Sequence, residues 1–222
     1  MDSIDTKHQL FNQYSKREEI ANSLTHGLGI ILSLIGLVFL YLKANDSNNS
    51  MVMISFMVFG CSLILLYTTS TLYHSIPGLE IKKSLRKIDH CAIYILIAGS
   101  YTPFLLINLQ GFYGWGMFGI IWSFAMIGIV IKIFTRIKSK WISAVIYIIM
   151  GWLCILISRQ MWLQVPAKSL IFLGIGGLFY MIGVLFYVWK KLPYHHTIWH
   201  IFVICGSISH FLAVYYTVSV NQ

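Results

Sequence analysis

Six side chains capable of metal or acid–base chemistry interrupt long apolar runs of this sequence: His26, Ser70, His74, Asp89, His196 and His200. Polar groups are costly inside a bilayer, so a gathering of them at the ends of hydrophobic spans is read first as a site. His196 and His200 are four residues apart, which sets them about 40° apart on one helical face, able to hold one ion together. Ser70 and His74 repeat that spacing. His195 projects about 140° from His200 and is the poorer partner. His210 lies ten residues beyond His200, about 15 Å deeper, and cannot share that ion. His74, His196 and His200 make a neutral nitrogen set suited to Zn2+, and a catalytic zinc keeps three protein ligands with the fourth position open to water.

Asp89 stands out by subtraction. Asp2, Asp5, Glu18 and Glu19 lie in the N-terminal stretch, while Asp46 and Glu80 lie between spans. Asp89 alone sits at the mouth of a span beside the histidines, placed to orient a ligand or to serve as a base. Ser70 is placed to bond water at the metal or to polarise a carbonyl. Each group also has a plainer reading: a histidine can bond a neighbouring helix, an aspartate can cap one, and Ser-x-x-x-His can be back-bonding to the helix itself. Three helices bringing such groups to one depth favours the metal. His90, on another face than Asp89, is expected at the interface.

The elements that carry these residues follow from composition. Of 222 residues, 58% are hydrophobic and 10% charged, against about 25% charged in soluble domains. A spanning helix needs roughly 20 apolar residues, and seven stretches qualify: 22–42, 51–74, 90–108, 113–133, 141–158, 169–189 and 197–219. The uncharged run from Cys91 to Ile131 is divided by Asn108 to Gly114, a turn-forming segment. Barrel strands would alternate polar and apolar residues, and these spans do not. The expected fold is all-α with seven transmembrane helices: a tail over 1–21, the helical domain over 22–219 and a short tail over 220–222. The acidic N-terminus does not resemble a secretory signal. Cys61, Cys91, Cys154 and Cys205 read as small buried apolar residues. Gly174, Gly176 and Gly177 are expected where helices approach closely. Trp115, Trp141, Trp162 and Trp189 are expected in an interfacial belt.

Basic residues set the orientation. The N-terminal tail and the second, fourth and sixth loops hold thirteen Lys and Arg, while the opposite side holds Lys43, Arg159 and Lys168. Cytoplasmic loops carry such an excess, so the N-terminus is expected inside and the C-terminus outside. All the site residues then fall toward the cytoplasmic edge. Nucleic acid is not an expected partner, since no soluble basic module is present.

The segments Glu19-Ile-Ala-Asn22-Ser-Leu-Thr-His26-Gly, Ser70-Thr-Leu-Tyr-His74, Asp89-His-Cys-Ala-Ile-Tyr with Gly99-Ser-Tyr-Thr-Pro103, and His196-Thr-Ile-Trp-His200 together resemble the bacterial hemolysin III family. That family is related to the progestin and adipoQ receptors and more distantly to the alkaline ceramidases. The likeness runs from about Glu18 to Phe211, in the family's order. It implies seven helices and a zinc held near the cytoplasmic side by His74, His196 and His200. Ser70 and Asp89 correspond to the family's serine and aspartate, the latter acting in the receptor branch through water at the zinc. Glu19, Asn22 and His26 match a first-helix motif to which the resemblance assigns no role. The long N-terminal extension of the eukaryotic receptors is not seen, so a hormone-receptor role is not expected.

The leading functional expectation is a zinc-dependent hydrolase of a lipid amide or ester. Asp89 would take a proton and Ser70 would support the developing oxyanion. A cytolytic, pore-forming protein is the alternative that the family name suggests. A membrane-state sensor with a structural zinc is a third.

Overall fold

In hydrocarbon, backbone amides must bond within the protein, which leaves helices or closed barrels. The structure, a computed structural model, describes residues 14–109, 111–134 and 140–218, without the side chains of 140–142. Among the described residues it is helical with no strand, and seven helical stretches are long and apolar enough to cross a membrane. The chain is a multi-pass membrane protein. The outer parts of the expected tails, Gln110, Arg136, Lys138 and the Trp141 side chain lie outside the described residues.

Helix α1 (Lys16–Asp46) begins six residues ahead of the expected span because Ser15 caps it. The Ser15 hydroxyl accepts the Glu18 amide at 3.3 Å, and Glu18 Oε2 accepts the Ser15 amide at 2.8 Å. This is a capping box, Ser-x-x-Glu. It moves Glu18 and Glu19 from the expected tail into the first helical turn. Asn49 caps α2 (Ser50–Ser75) by accepting the Met51 amide at 2.9 Å. Helix α3 (Leu79–Pro103) starts eleven residues before its expected span, so the basic stretch from Lys82 to Lys87 is helical.

Pro103 has no amide to give, and the chain widens just beyond it into a π-helical turn, Phe104–Leu109. Gly111, at φ 58°, then allows the reversal into α4 (Gly111–Phe134). Helix α5 (Lys140–Trp152) tightens through a 3₁₀ turn, Leu153–Ile157, into α6 (Ser158–Gln164) to complete the fifth span. Tyr101 of α3 braces that break. Its hydroxyl donates to the carbonyls of Met150 (2.9 Å) and Gly151 (2.8 Å) and accepts the Cys154 amide at 3.0 Å. Helices α7 (Ala167–Val188) and α8 (His195–Tyr215) form the last pair.

Helices α1 to α4 pack one on the next, α7 packs on α8, and α8 returns against α1. The most buried span is α3. Its Tyr94 packs in a core with Phe56 and Phe59 of α2, Ile121 of α4 and Met150 of α5. Outward-facing positions are apolar as well, Leu24, Val38 and Leu178 among them, as a lipid-facing surface requires. Trp115, Trp162 and Trp189 are exposed.

Of the three glycines of α7 expected at a close approach, one is found there. A Cβ on Gly176 would strike His210, but Gly174 and Gly177 face open space. The second close approach falls at Gly183, seven residues from Gly176, where a Cβ would stand 2.8 Å from the Trp199 ring and 2.9 Å from Phe202 Cβ. The one face that meets α8 is therefore the glycine face. Gly183→Leu is expected to destabilise the bundle by about 1–3 kcal/mol through overpacking, while Gly177→Leu stays near the unmodified protein. Thermal unfolding of the two purified variants in one detergent checks this.

Candidate metal centre

The site forms where the start of α1, the end of α2, the early part of α3 and the start of α8 meet at one end of the bundle. His74 lies in the last turn of α2, which stops before the Ile76-Pro77-Gly78 turn. Tyr194, in the left-handed region at φ 55°, leads into α8, so His196 and His200 occupy its first two turns. The structure brings His74, His196 and His200 together. One ring nitrogen from each lies within 4.8 Å of the other two. A zinc bonds each nitrogen at about 2.0–2.1 Å, so closing on an ion asks for ring movements of about an ångström.

The hydrogen bonds favour that use of the rings. His74 Nδ1 donates to Glu19 Oε2 at 2.6 Å, and Lys82 holds the other oxygen of Glu19 at 2.8 Å. This leaves His74 Nε2 buried with no hydrogen-bond partner among the described residues. His200 Nδ1 faces the Asn22 carbonyl and the Thr25 hydroxyl, each at 3.2 Å, which leaves Nε2 as the nitrogen it can offer an ion. A metal-bound histidine characteristically gives its other N–H to a carboxylate or carbonyl, fixing tautomer and orientation. The donor set and the orphaned nitrogen therefore fit a metal ion.

Glu19 and Asn22, which had no role in the sequence, gain one here. Asn22 is fully buried, and its side-chain oxygen also accepts the Thr197 hydroxyl at 2.6 Å, locking α8 to α1. Glu18 adds a further tie by accepting the Tyr194 amide at 2.9 Å. The signal for Glu19 was the capping box, which places Glu19, Asn22 and His26 at i, i+3 and i+7 on one face.

His26 is a fourth buried imidazole. Its ring stacks on His200 at 3.5 Å between centroids and meets the Tyr67 ring edge-on at 5.0 Å. Neither of its nitrogens has a hydrogen-bond partner among the described residues. It lies outside the three-histidine group. So does Asp89, which is buried beside the group, close enough to interact electrostatically with His74 and His26. Ser70 is buried one turn along α2 from His74.

His90 is buried among the helices. Its Nδ1 donates to the Arg86 carbonyl at 2.7 Å and lies 3.5 Å from Asp89 Oδ2. His195 points elsewhere, with Nδ1 on the Phe186 carbonyl at 3.1 Å. His210 packs edge-on against Tyr180 at 5.1 Å, away from the group.

Tyr14, just ahead of the Ser15 cap, covers the group at the end of the bundle. Its ring stacks on His196 at 4.8 Å and stands 5.9 Å from His74. Burial, with Tyr73 and Tyr187 nearby, holds its phenol well above the ordinary value, so it stays neutral.

Residues 14–211 match the family described as haemolysin-III related. The chain belongs to the haemolysin III family. Among its relatives, the "Hemolysin-3 homolog" of Bacillus subtilis (strain 168) is 45% identical over 208 residues, covering 93% of this chain and 98% of the relative. "Hemolysin-3" of Bacillus cereus is 44% identical over 202 residues, 91% of this chain and 92% of that one. The human "Monocyte to macrophage differentiation factor" is 30% identical over 207 residues, 89% and 83% respectively. This last likeness supports the kinship of the haemolysin III family with the progestin and adipoQ receptor group.

Glu19→Gln keeps the shape but removes the charge that orients His74. Loss of such a partner typically lowers metal affinity about 10–100-fold. Competition of the purified variant against a zinc chelator is expected to show that drop, with His74→Ala losing the ion altogether.

Proposed function

We propose that this haemolysin III protein is a zinc-dependent hydrolase of a lipid amide or ester, with the ion held by His74, His196 and His200. The observation that carries the reading is the convergence of three imidazoles, one nitrogen each within 4.8 Å, inside a bundle of membrane-spanning helices. Bound zinc supplies Lewis acidity, polarising a carbonyl and making water nucleophilic near neutral pH.

The chain's own residues do the rest. Glu19 and the Asn22 carbonyl hold two ligand rings in place. Asp89, buried beside the group, takes the proton from the attacking water and passes it to the leaving amine or alcohol. Ser70 donates its hydroxyl to the carbonyl oxygen as negative charge develops there. Tyr14, stacked over His196, keeps bulk water off the group. A site within spanning helices selects for a substrate already in the bilayer.

The excess of Lys and Arg on the N-terminal side supports a cytoplasmic N-terminus and a site near the inner face of a bacterial plasma membrane. A second reading, cytolysis, is favoured by the names of the Bacillus relatives. Under it the bundle would release solutes from vesicles whether or not the histidines are intact.

Metal content of the detergent-purified protein, beside a His196→Ala/His200→Ala double variant, tests the centre. About one zinc per chain, lost in the variant, is expected. Hydrolysis is then screened on ceramides and phospholipids in vesicles. Asp89→Asn is expected to lower turnover about 10²–10⁴-fold and Ser70→Ala about 10²-fold, both with zinc retained. Solute leakage without hydrolysis, insensitive to the histidine variants, would support cytolysis instead.

A further inference from the structure

Helix α3 carries its basic stretch to the end of the bundle where the histidines gather, and the cations of that stretch differ in what holds them. Lys82 is held by Glu19 at 2.8 Å and Lys83 by Glu80 at 2.7 Å, while Lys87 is exposed. Arg86 is half-buried, yet its guanidinium has neither an ion pair nor a hydrogen bond among the described residues. Taking an arginine partly out of water is costly when its five N–H donors stay unused.

The groups around Arg86 share its shortage of acceptors. It lies within electrostatic reach of the phenols of Tyr14, Tyr73 and Tyr187. Tyr14 and Tyr73 are buried, and neither hydroxyl has a hydrogen-bond partner among the described residues, although both oxygens keep some open surface. Lys132 of α4 is a second cation within reach of Arg86, with its ammonium on the Ser143 hydroxyl at 3.3 Å. The nearby carboxylates are already engaged: Glu19 by His74 and Lys82, and Asp89 by His90 at 3.5 Å. A guanidinium and two phenols gathered without an acceptor suit the oxygens of an anion, and the arginine fork matches phosphate.

Position narrows the choice of anion. Arg86 precedes Asp89 by three residues on α3, so it lies on the same face, about 4.5 Å nearer the end of the bundle. Tyr14 and Tyr73 flank His74, with ring centroids 5.9 and 4.5 Å from its ring. The headgroup layer of a bilayer is about 5–7 Å thick, and a glycerophospholipid carries its phosphate outward of its ester carbonyls by a step of that order. A phosphate at Arg86 therefore leaves an ester at the depth of the histidines and Asp89. A ceramide offers only a neutral hydroxyl at that level and leaves the donors unmatched.

We infer that Arg86, Tyr14 and Tyr73 form a phosphate site at the mouth of the histidine group, which takes the headgroup phosphate of a glycerophospholipid and makes that class, rather than ceramide, the preferred substrate. Phosphate binding stands on the donors alone, and only the substrate preference rests on the hydrolase reading. Tyr14 then serves twice, with its ring over His196 and its hydroxyl at the phosphate. Charge that merely sets topology would make Arg86 equivalent to its exposed neighbour Lys87.

The test gives the full chain, zinc-loaded in detergent micelles, three substrates: phosphatidylglycerol, the diacylglycerol of the same chains, and ceramide. Diacylglycerol presents the same esters without the phosphate. Metal content and helicity are measured for every variant. Binding of phosphatidylglycerol is read separately by native mass spectrometry, with inorganic phosphate as competitor. The unmodified protein is expected to favour phosphatidylglycerol over diacylglycerol about ten-fold or more in kcat/KM. Arg86→Gln is expected to cut both that preference and the affinity for phosphatidylglycerol about 10–100-fold, the worth of a charged hydrogen bond. Arg86→Lys restores part of each, and Tyr73→Phe costs about five-fold, one neutral hydrogen bond. Lys87→Gln leaves both intact. Equal turnover of phosphatidylglycerol and diacylglycerol, or a preference that survives Arg86→Gln with zinc retained, would overturn the site. Binding of phosphatidylglycerol through Arg86 with no hydrolysis of any lipid would retire the hydrolase reading and leave the phosphate site standing. Hydrolysis of ceramide or diacylglycerol without Arg86-dependent binding would do the reverse. Inorganic phosphate held by Arg86 in a protein that does not bind phosphatidylglycerol would overturn the lipid assignment and make free phosphate the occupant.

Discussion

An imidazole inside an apolar bundle has no bulk water to satisfy it, so each ring nitrogen needs a partner from the protein or from a ligand. The contact between His74 Nδ1 and Glu19, 2.6 Å long and steadied by Lys82, is where this constraint is met most fully. It ties the end of α2 to the start of α1 and to the basic stretch of α3. A parallel tie runs from the Asn22 carbonyl to His200. Both Nδ1 atoms are thus engaged, and one ring nitrogen from each of His74, His196 and His200 lies within 4.8 Å of the other two. A metal ion would complete a set that the protein half satisfies.

The rest of the bundle serves that arrangement. The Ser15 capping box starts α1 early enough to bring Glu19 opposite His74. The left-handed Tyr194 starts α8 where His196 and His200 meet them, and Glu18 fixes that residue's amide. Glycine contacts between α7 and α8 hold α8 in place from the other side. The polar end is thus a product of helix starts and stops, while the middle of the bundle is ordinary apolar packing.

Much of this was legible in the sequence. Seven spans follow from apolar runs of bilayer length, and the trio of His74, His196 and His200 follows from i, i+4 spacing with span ends on one side. What escaped was whatever hydropathy does not report. Glu18 and Glu19 looked like part of a polar tail, because charge outweighs the capping signal when spans are drawn by apolarity. The helical basic stretch of α3 was hidden for the same reason. Hydropathy is equally silent on the burial of His90, whose Nδ1 donates to the Arg86 carbonyl one turn back. Among the glycines of α7, spacing alone could not tell which face meets α8; Gly176 and Gly183 do, and Gly174 and Gly177 do not.

Absorption spectroscopy at the zinc edge, on protein purified without chelators, bears most directly on the central claim. The account predicts a first shell of three imidazole nitrogens at about 2.0–2.1 Å with one further light ligand from solvent or substrate. Four imidazoles would mean that His26 closes the shell and that the ion is structural. Sulfur in the shell, or protein that takes up no zinc when it is supplied, would contradict the centre itself.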